Sequence, residues 1–283
     1  MVKLMSLHDS GHKTPFMGKT FVQLFVFMSF AVIPAVEALP TKDSRANSSS
    51  PMNEADFIKV IRDGDIPEIS NACNEAIEFS LEERREKLEK RLVLILPSTK
   101  SLDLVLGNAE ALLACKAPEA AQKVLSRFSP DRGSQRRAWL IMSWRASNAA
   151  LDHLTASLAL RRLANGKLSQ LEEEKLIVGY DEDGSPLTRS ALELLADHQR
   201  SLGNSDSAAA VLLAGRSRGP LGARRLALVA ELLENLPKDQ RADLLEKAFA
   251  QAHGEEAWGQ AVDILRALFK LEIESGGDGI EVK

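Results

Sequence analysis

The sequence predicts an all-α protein built from stacked antiparallel helical hairpins, preceded by an N-terminal signal peptide. Three observations lead to this prediction. Apolar residues recur at helical spacing over most of the chain, Pro, Gly and Asn interrupt the pattern at short intervals, and a strongly apolar segment lies near the start. With 45% hydrophobic and 27% charged residues, the 283-residue chain has the composition of a folded globular protein.

The first 38 residues have the pattern of a secretory signal peptide. Lys13 and Lys19 precede an apolar run from Phe21 to Val36, and Ala38 provides a small residue for cleavage. The alternative is an uncleaved anchor, but this run is shorter than the roughly 20 residues of a spanning helix. We predict cleavage after Ala38 and export to the periplasm or another extracytoplasmic compartment. The chain would touch a membrane only through this leader, if it is retained.

Three further segments follow the leader. Residues 39–53 are predicted to be a flexible linker because they are polar, contain three consecutive serines and lack apolar periodicity. Residues 54–275 are predicted to form a helical repeat domain. Residues 276–283 are predicted to be a disordered tail.

The first helices are indicated by capping residues and helix breakers. Asn53 is placed to cap a helix that ends at Gly64, with an apolar side formed by Phe57, Ile58 and Ile61. Between Pro67 and Leu96 the pattern fits either one long amphipathic helix or a pair of helices, and Pro97 stops it.

Two hairpin units follow. In the first, a helical stripe begins at Leu102, Pro118 opens a second helix at its first turn, and Pro130 ends the unit. The second unit runs from Ser134 to Leu163 and is closed by Asn165 and Gly166. Its apolar positions are Trp139, Ile141, Met142, Leu151, Leu154, Leu158 and Leu163.

The segment from Leu168 to Thr188 is acidic and differs from the helical units. A calcium-binding EF-hand loop does not fit, because placing Gly184 at loop position 6 puts Gly179 at position 1 and Ser190 at position 12. We predict an Asp-Gly turn with a short β excursion instead, and no metal or cofactor site.

A third unit carries eight residues at a distinctive spacing: Leu192, Leu195, Ala196, Gly203, Ala208, Leu212, Gly215 and Pro220. This pattern resembles the tetratricopeptide repeat, a 34-residue helical hairpin. The chain departs from the family at Gln199, where an aromatic residue is usual. In the unit Ser101–Gly133 the fit is weaker because Lys116 stands where the turn glycine is expected, and Ala223–Glu274 contains hairpins outside strict register.

The resemblance implies a tetratricopeptide-like α-solenoid, in which stacked hairpins form a groove that holds a peptide or a helix of a partner protein. Small residues at the helix crossings support this architecture independently, because they let two helices approach closely. The alternative is an irregular helical bundle with one accidental match to the repeat.

Two cysteines, Cys73 and Cys115, remain after removal of the leader. In an exported protein such a pair can form a disulfide. Each also lies among apolar helical residues, so the interpretation favoured by the sequence is two small buried side chains in neighbouring helices without a bond.

Residues 127–167 carry a net charge of +6 within an otherwise acidic protein. If this basic cluster faces the groove, its arginines and two tryptophans would bind an acidic peptide or a C-terminal carboxylate. The predicted partner-binding residues are Arg136, Arg137, Trp139, Trp144, Arg145, Arg161 and Arg162. The alternative is that these arginines cover outer helix faces and pair with the acidic stretch 168–206.

The mature chain has 33 basic and 38 acidic residues, a net charge of −5 that disfavours nucleic-acid binding. It contains no recognisable nucleophile, metalloprotease, phosphate-binding or dinucleotide-binding motif. We therefore predict a non-enzymatic protein that mediates protein–protein interaction in an envelope complex, as a scaffold or assembly factor. The alternatives are a helical enzyme acting on a cell-wall polymer and a self-associating structural solenoid.

Overall fold

A computed structural model describes residues 50–95, 101–131 and 133–276. Over these ranges the protein is all-α apart from one β-hairpin, as the sequence predicts. The helices are α1 Glu54–Asp63, α2 Ile66–Glu78, α3 Glu82–Ile95, α4 Leu102–Ala114, α5 Pro118–Ser126, α6 Ser134–Ala149, α7 His153–Leu163, α8 Ala191–Ser201, α9 Ser205–Leu213, α10 Gly219–Leu232, α11 Lys238–Gly254 and α12 Trp258–Gly276. The predicted signal peptide, the stop at Pro97 and the tail beyond Gly276 lie outside the described residues.

The helices form a stack of antiparallel hairpins. Each described helix contacts the next one along the chain. The first helices of successive hairpins also meet, since α2 contacts α4 and α4 contacts α6. Apolar side chains fill the stack in three clusters, which cover α1 to α6, α6 to α10, and α10 to α12. No single hairpin encloses its own apolar face, so the stack is what makes the core.

Small side chains are buried in paired helices of the stack. Ala109 of α4 and Ala121 of α5 are fully buried, and Ala196 of α8 and Ala208 of α9 occupy the corresponding places in the tetratricopeptide-like unit. A methyl group at each crossing lets the two helix backbones approach closely. The burial of these four residues agrees with the small side chains that the sequence predicts between paired helices.

Five hairpin turns share one backbone geometry. A residue with positive φ follows the first helix in each: Ser80, Lys116, Leu151, Gly203 and Glu256. The next residue donates its N–H to a carbonyl oxygen five positions earlier, as from Ala117 to Leu112 at 2.9 Å and from Asn204 to Gln199 at 2.9 Å. This is the Schellman pattern of a helix end. The first three turns are spaced 36 and 35 residues apart, close to the repeat length that the sequence resembles.

Lys116 explains why the unit Ser101–Gly133 fits the repeat poorly in sequence but well in structure. Its φ of 55° is the left-handed conformation that Gly203 adopts in the better-matched unit. A non-glycine residue in this conformation costs about 1 kcal/mol or more, which the packing of α4 against α5 offsets. The hairpin therefore forms without the glycine that would have identified it.

The first helices follow their sequence signals. The Asn53 side chain accepts a hydrogen bond from the N–H of Asp56 at 2.9 Å, and α1 ends at Gly64 as predicted. Phe57 is buried on this helix, whereas Ile58 is exposed, so the apolar side is narrower than the sequence indicates. The segment that follows is a pair of helices, α2 and α3, rather than one long helix.

A 3-10 helix, Leu168–Glu172, and a β-hairpin lie between α7 and α8. Strands β1 Lys175–Tyr180 and β2 Pro186–Ser190 pair antiparallel around a turn in which Gly184 has a φ of 80°. The predicted Asp-Gly turn with a β excursion is confirmed. This inserted segment lengthens the spacing between the turns at Leu151 and Gly203.

Cys73 and Cys115 form a disulfide, with their Cα atoms 4.8 Å apart. The interpretation favoured from the sequence, two unbonded cysteines, is wrong. Both side chains are fully buried in neighbouring helices, as expected. Because α2 and α4 contact each other directly, the two small side chains meet within bonding distance, which the sequence spacing alone does not reveal.

A candidate protein-binding surface on helix α7

The outward face of α7 combines exposed leucines with arginines. Leu154 and Leu158 are 58% and 44% exposed, and Leu151, in the turn before the helix, is 74% exposed. Arg161 and Arg162 follow on the same face and are also exposed. We call these five residues the α7 surface. The sequence predicts that these three leucines belong to the apolar stripe of the second hairpin. In the structure they are exposed to solvent.

A cavity of about 410 Å³ adjoins the α7 surface between α5, α6 and α7. Leu158 and Arg162 belong to both the surface and the cavity lining, and Phe128, Trp139 and Leu140 form much of the apolar wall. The Trp139 indole N–H donates to the Leu125 carbonyl oxygen at 3.1 Å, which fixes the orientation of the ring. The cavity is therefore a preformed, mainly apolar recess with a cation at its edge.

The structure brings some of the predicted partner-binding residues together. Trp139 and Arg162 line the same cavity, and Arg161 lies beside it on α7. Arg136 is half-buried in the first turn of α6. Among the residues described, no acidic side chain lies within ion-pair distance of these three arginines.

The remaining predicted residues have partners within the protein. Arg145 forms two hydrogen bonds to the Glu110 carboxylate, at 2.6 and 2.9 Å. Arg137 pairs with Glu174, which belongs to the acidic stretch that the alternative interpretation named. Trp144 is buried in the second apolar cluster. Of the seven predicted residues, three thus lie at or beside the cavity, Arg136 lies in the first turn of α6, and three join neighbouring elements of the stack.

Trp144 belongs to a chain of hydrogen bonds that sequence reasoning did not find. Its indole N–H lies 3.0 Å from Nε2 of His198, and Nδ1 of His198 lies 3.1 Å from Nδ1 of His153. Because the indole can only donate, Nε2 of His198 must accept, so a neutral His198 carries its proton on Nδ1. It then donates to His153. The chain links α6, α7 and α8.

Burial holds the pKa of His198 well below its ordinary value, at about 4, and positive charge on His153 lowers it further, while Asp197 opposes the shift. The two histidines are isolated in the sequence, 45 residues apart. No local pattern marks them as neighbours, because only the stacking of α7 on α8 brings their rings together.

Acidification is expected to destabilise the fold through His198. The unfolded chain takes up this proton near pH 6.5, whereas the folded ring takes it up near pH 4, so the unfolded state binds more protons between these values. The contribution of His198 to the free energy of unfolding is complete above pH 6.5. It should fall by about 3 kcal/mol as the pH drops to 4, as measured by urea denaturation.

The His198→Gln variant, whose amide does not titrate, should show a shallower decrease in stability between pH 6.5 and 4. His253→Gln serves as the matched control because the His253 side chain is exposed. Equal pH profiles for His198→Gln and the unchanged protein would rule out His198 as the origin of the effect.

Within the described ranges, no group of three or more His, Cys, Asp and Glu side chains is placed to hold a metal ion. Over the same ranges, none of the helices has the length and apolar character needed to cross a bilayer.

Comparisons with known proteins gave one structural similarity. No protein-family model matches the sequence, and a search of curated proteins found no similar sequence. Among solved structures, a tetratricopeptide repeat protein from Parabacteroides merdae, determined at 2.39 Å resolution, is similar over 71% of this chain and 70% of that chain. The sequence identity is 11% and the TM-score is 0.30, which is too low to assign a family.

Proposed function

We propose that this protein binds another protein through the α7 surface and its cavity, and serves as a scaffold or assembly factor in an extracytoplasmic complex. The observation that carries the proposal is the juxtaposition of exposed leucines, arginines without an acidic partner in the described chain, and a preformed apolar cavity. Isolated exposed leucines are common in proteins, but a stripe of three beside a recess is typical of an interaction surface.

The chemistry of the α7 surface favours an acidic segment with an apolar residue. An apolar side chain can fill the cavity next to Trp139 and Leu158, where its burial contributes about 1.5–3 kcal/mol. A carboxylate on the same segment can then bind Arg162 or Arg161 through paired hydrogen bonds. These arginines have no acidic partner in the described part of the chain, so a carboxylate can bind them without breaking an ion pair within the protein.

Two features support an extracytoplasmic location. The first 38 residues have the sequence of a secretory signal peptide. The disulfide between Cys73 and Cys115 is of a kind that persists in oxidising compartments and is rare in the cytosol.

Replacing both Arg161 and Arg162 with glutamate should abolish partner binding. The change converts two cations beside the cavity into anions, so an acidic segment would be repelled, and we expect affinity to fall by about 100-fold or more. We would express the tagged full chain in its native host, isolate it at low and high salt, and identify by mass spectrometry what is bound in fixed ratio.

Arg218→Glu is the control, because Arg218 is exposed and lies outside the α7 surface. The control should retain the partner at low salt, and binding by the unchanged protein should weaken at high salt. A partner that survives the double substitution would show that binding uses another surface. Recovery of the protein without any stoichiometric partner would contradict the scaffold proposal.

A further inference from the structure

Helix α12 has a second exposed apolar face that the proposed function does not use. Trp258, Val262, Phe269 and Ile273 are 56%, 46%, 63% and 75% exposed, and Leu265 between them is half-buried. Their spacing of four, three, four and four residues places all five on one side of the helix. We call them the α12 stripe. In the described chain, no element covers it.

The other side of α12 is already used for folding. Ala261, Ile264 and Leu271 are buried in the third apolar cluster, where α12 packs on α11. The helix is therefore apolar on two sides, although it is the last helix of the stack that the structure describes. Stacked repeats normally end in a polar outer face, because an apolar one invites further packing.

We propose that the α12 stripe binds the same stripe of a second copy, giving a two-fold symmetric dimer. A two-fold interface brings one patch against itself, so the patch must be free of a dominant charge. None of the five stripe residues is charged. Asp263 and Arg266 on one border of the stripe form an ion pair within the helix at 3.0 Å, so this pair adds no net charge there. The exposed Glu272 lies at the other border, where a polar rim is usual.

The area of the α12 stripe matches what a dimer needs. Aromatic side chains such as Trp258 and Phe269 offer about 150–250 Å² each when fully exposed, and the two aliphatic ones offer somewhat less. At their exposed fractions the four residues together present roughly 400–500 Å² per copy. Two copies would bury roughly 900 Å² from these side chains alone, close to the ~1,000 Å² expected of a specific interface, and flanking residues add to it. A charged or strongly polar partner would leave this apolar area poorly matched.

A cysteine at the centre of the stripe tests the arrangement directly. The two native cysteines are joined to each other, so Leu265→Cys supplies the one reactive thiol of the full chain. Under mild oxidation we expect a covalent dimer in high yield, because a two-fold axis near position 265 brings the two thiols together. Glu246→Cys, an exposed position on α11 outside the stripe, is the matched control and should form little covalent dimer.

Sedimentation of the full chain provides the second measurement. The unchanged protein should sediment as a dimer at micromolar concentration, and Phe269→Glu should raise its dissociation constant by about 100-fold or more, because the interface would bury a carboxylate. Leu213→Glu, an exposed apolar residue on α9, should remain dimeric. A monomeric unchanged protein would overturn the proposal, as would a dimer that survives Phe269→Glu. Neither result bears on the α7 surface, which is separate.

Discussion

Replacing Glu172 with glutamine is expected to lower the free energy of unfolding by about 3–5 kcal/mol. Breaking a buried ion pair by removing one partner leaves the other charge uncompensated in an apolar surrounding. Glu172 and Arg225 are both buried, and the Arg225 guanidinium donates to the Glu172 carboxylate.

The Glu172 carboxylate also holds two backbone groups. It accepts hydrogen bonds from the N–H of Arg216 at 2.6 Å and from the N–H of Ser217 at 3.0 Å. One side chain of the 3-10 helix thus fixes both the segment between α9 and α10 and an arginine on α10. A neutral amide in its place can accept fewer hydrogen bonds and leaves the guanidinium without a counter-charge.

The same network makes stability depend on pH in the acidic range. Burial raises the pKa of Glu172, but hydrogen bonds from Ser217, Arg216 and Arg225 outweigh it and hold the pKa at about 2, below the ordinary value of 4.5. The carboxylate therefore stabilises the fold fully above pH 4.5. This contribution, about 3 kcal/mol, should disappear as the pH falls from 4.5 to 2, a window below that of His198.

Denaturation by urea at pH 7 measures the effect, with Glu173→Gln as the matched control. Glu173 is the next residue and is exposed, so its substitution should change stability by less than about 0.5 kcal/mol. Adding Arg225→Met to Glu172→Gln should restore part of the lost stability, because the unpaired cation is then gone. A loss below about 1 kcal/mol for Glu172→Gln would show that the network contributes little.

The helices and several turns were predictable because their signals are local. Asn53 caps α1, Pro118 opens α5, and Gly203 turns the chain between α8 and α9, each at the position where its chemistry is favourable. The Asp-Gly turn of the β-hairpin follows from the same kind of signal. In each case a single residue type determines a backbone conformation within a few positions.

The full extent of the repeat could not be predicted, because most of its turns lack glycine. Ser80, Lys116, Leu151 and Glu256 adopt the left-handed conformation that Gly203 adopts. Helix packing on both sides of each turn enforces this geometry against the local preference of the residue. A sequence pattern based on the turn glycine therefore identifies one hairpin, whereas the backbone shows five turns of the same kind.

Partners that are distant in sequence explain why the sequence leaves two interpretations of the basic cluster open. Arg145 meets Glu110 across 35 residues, Arg137 meets Glu174 across 37, and His153 meets His198 across 45. Each pair joins different elements, so no spacing rule within one helix reveals it. Two arginines of the predicted basic cluster, Arg137 and Arg145, are therefore paired within the protein. The arginines on α7, Arg161 and Arg162, remain available for a partner.

Reduction of the disulfide between Cys73 and Cys115 is expected to lower the free energy of unfolding by about 4 kcal/mol. The bond links residues 42 positions apart and so restricts the unfolded chain, and loops of this length give a loss of about that size in the chain-entropy account. Because the bond joins α2 to α4, its loss should loosen the contact between the first two hairpins.

Urea denaturation with and without a reductant measures this effect. The variant with both cysteines replaced by alanine should match the reduced protein within about 1 kcal/mol, and the reductant should not change its stability further. The effect of the reductant on the unchanged protein measures the contribution of the bond. The difference between the reduced protein and the double alanine variant measures the packing of the two sulfur atoms, which alanine removes. If the oxidised and reduced proteins unfold at the same urea concentration, the contact between α2 and α4 is maintained by apolar packing alone.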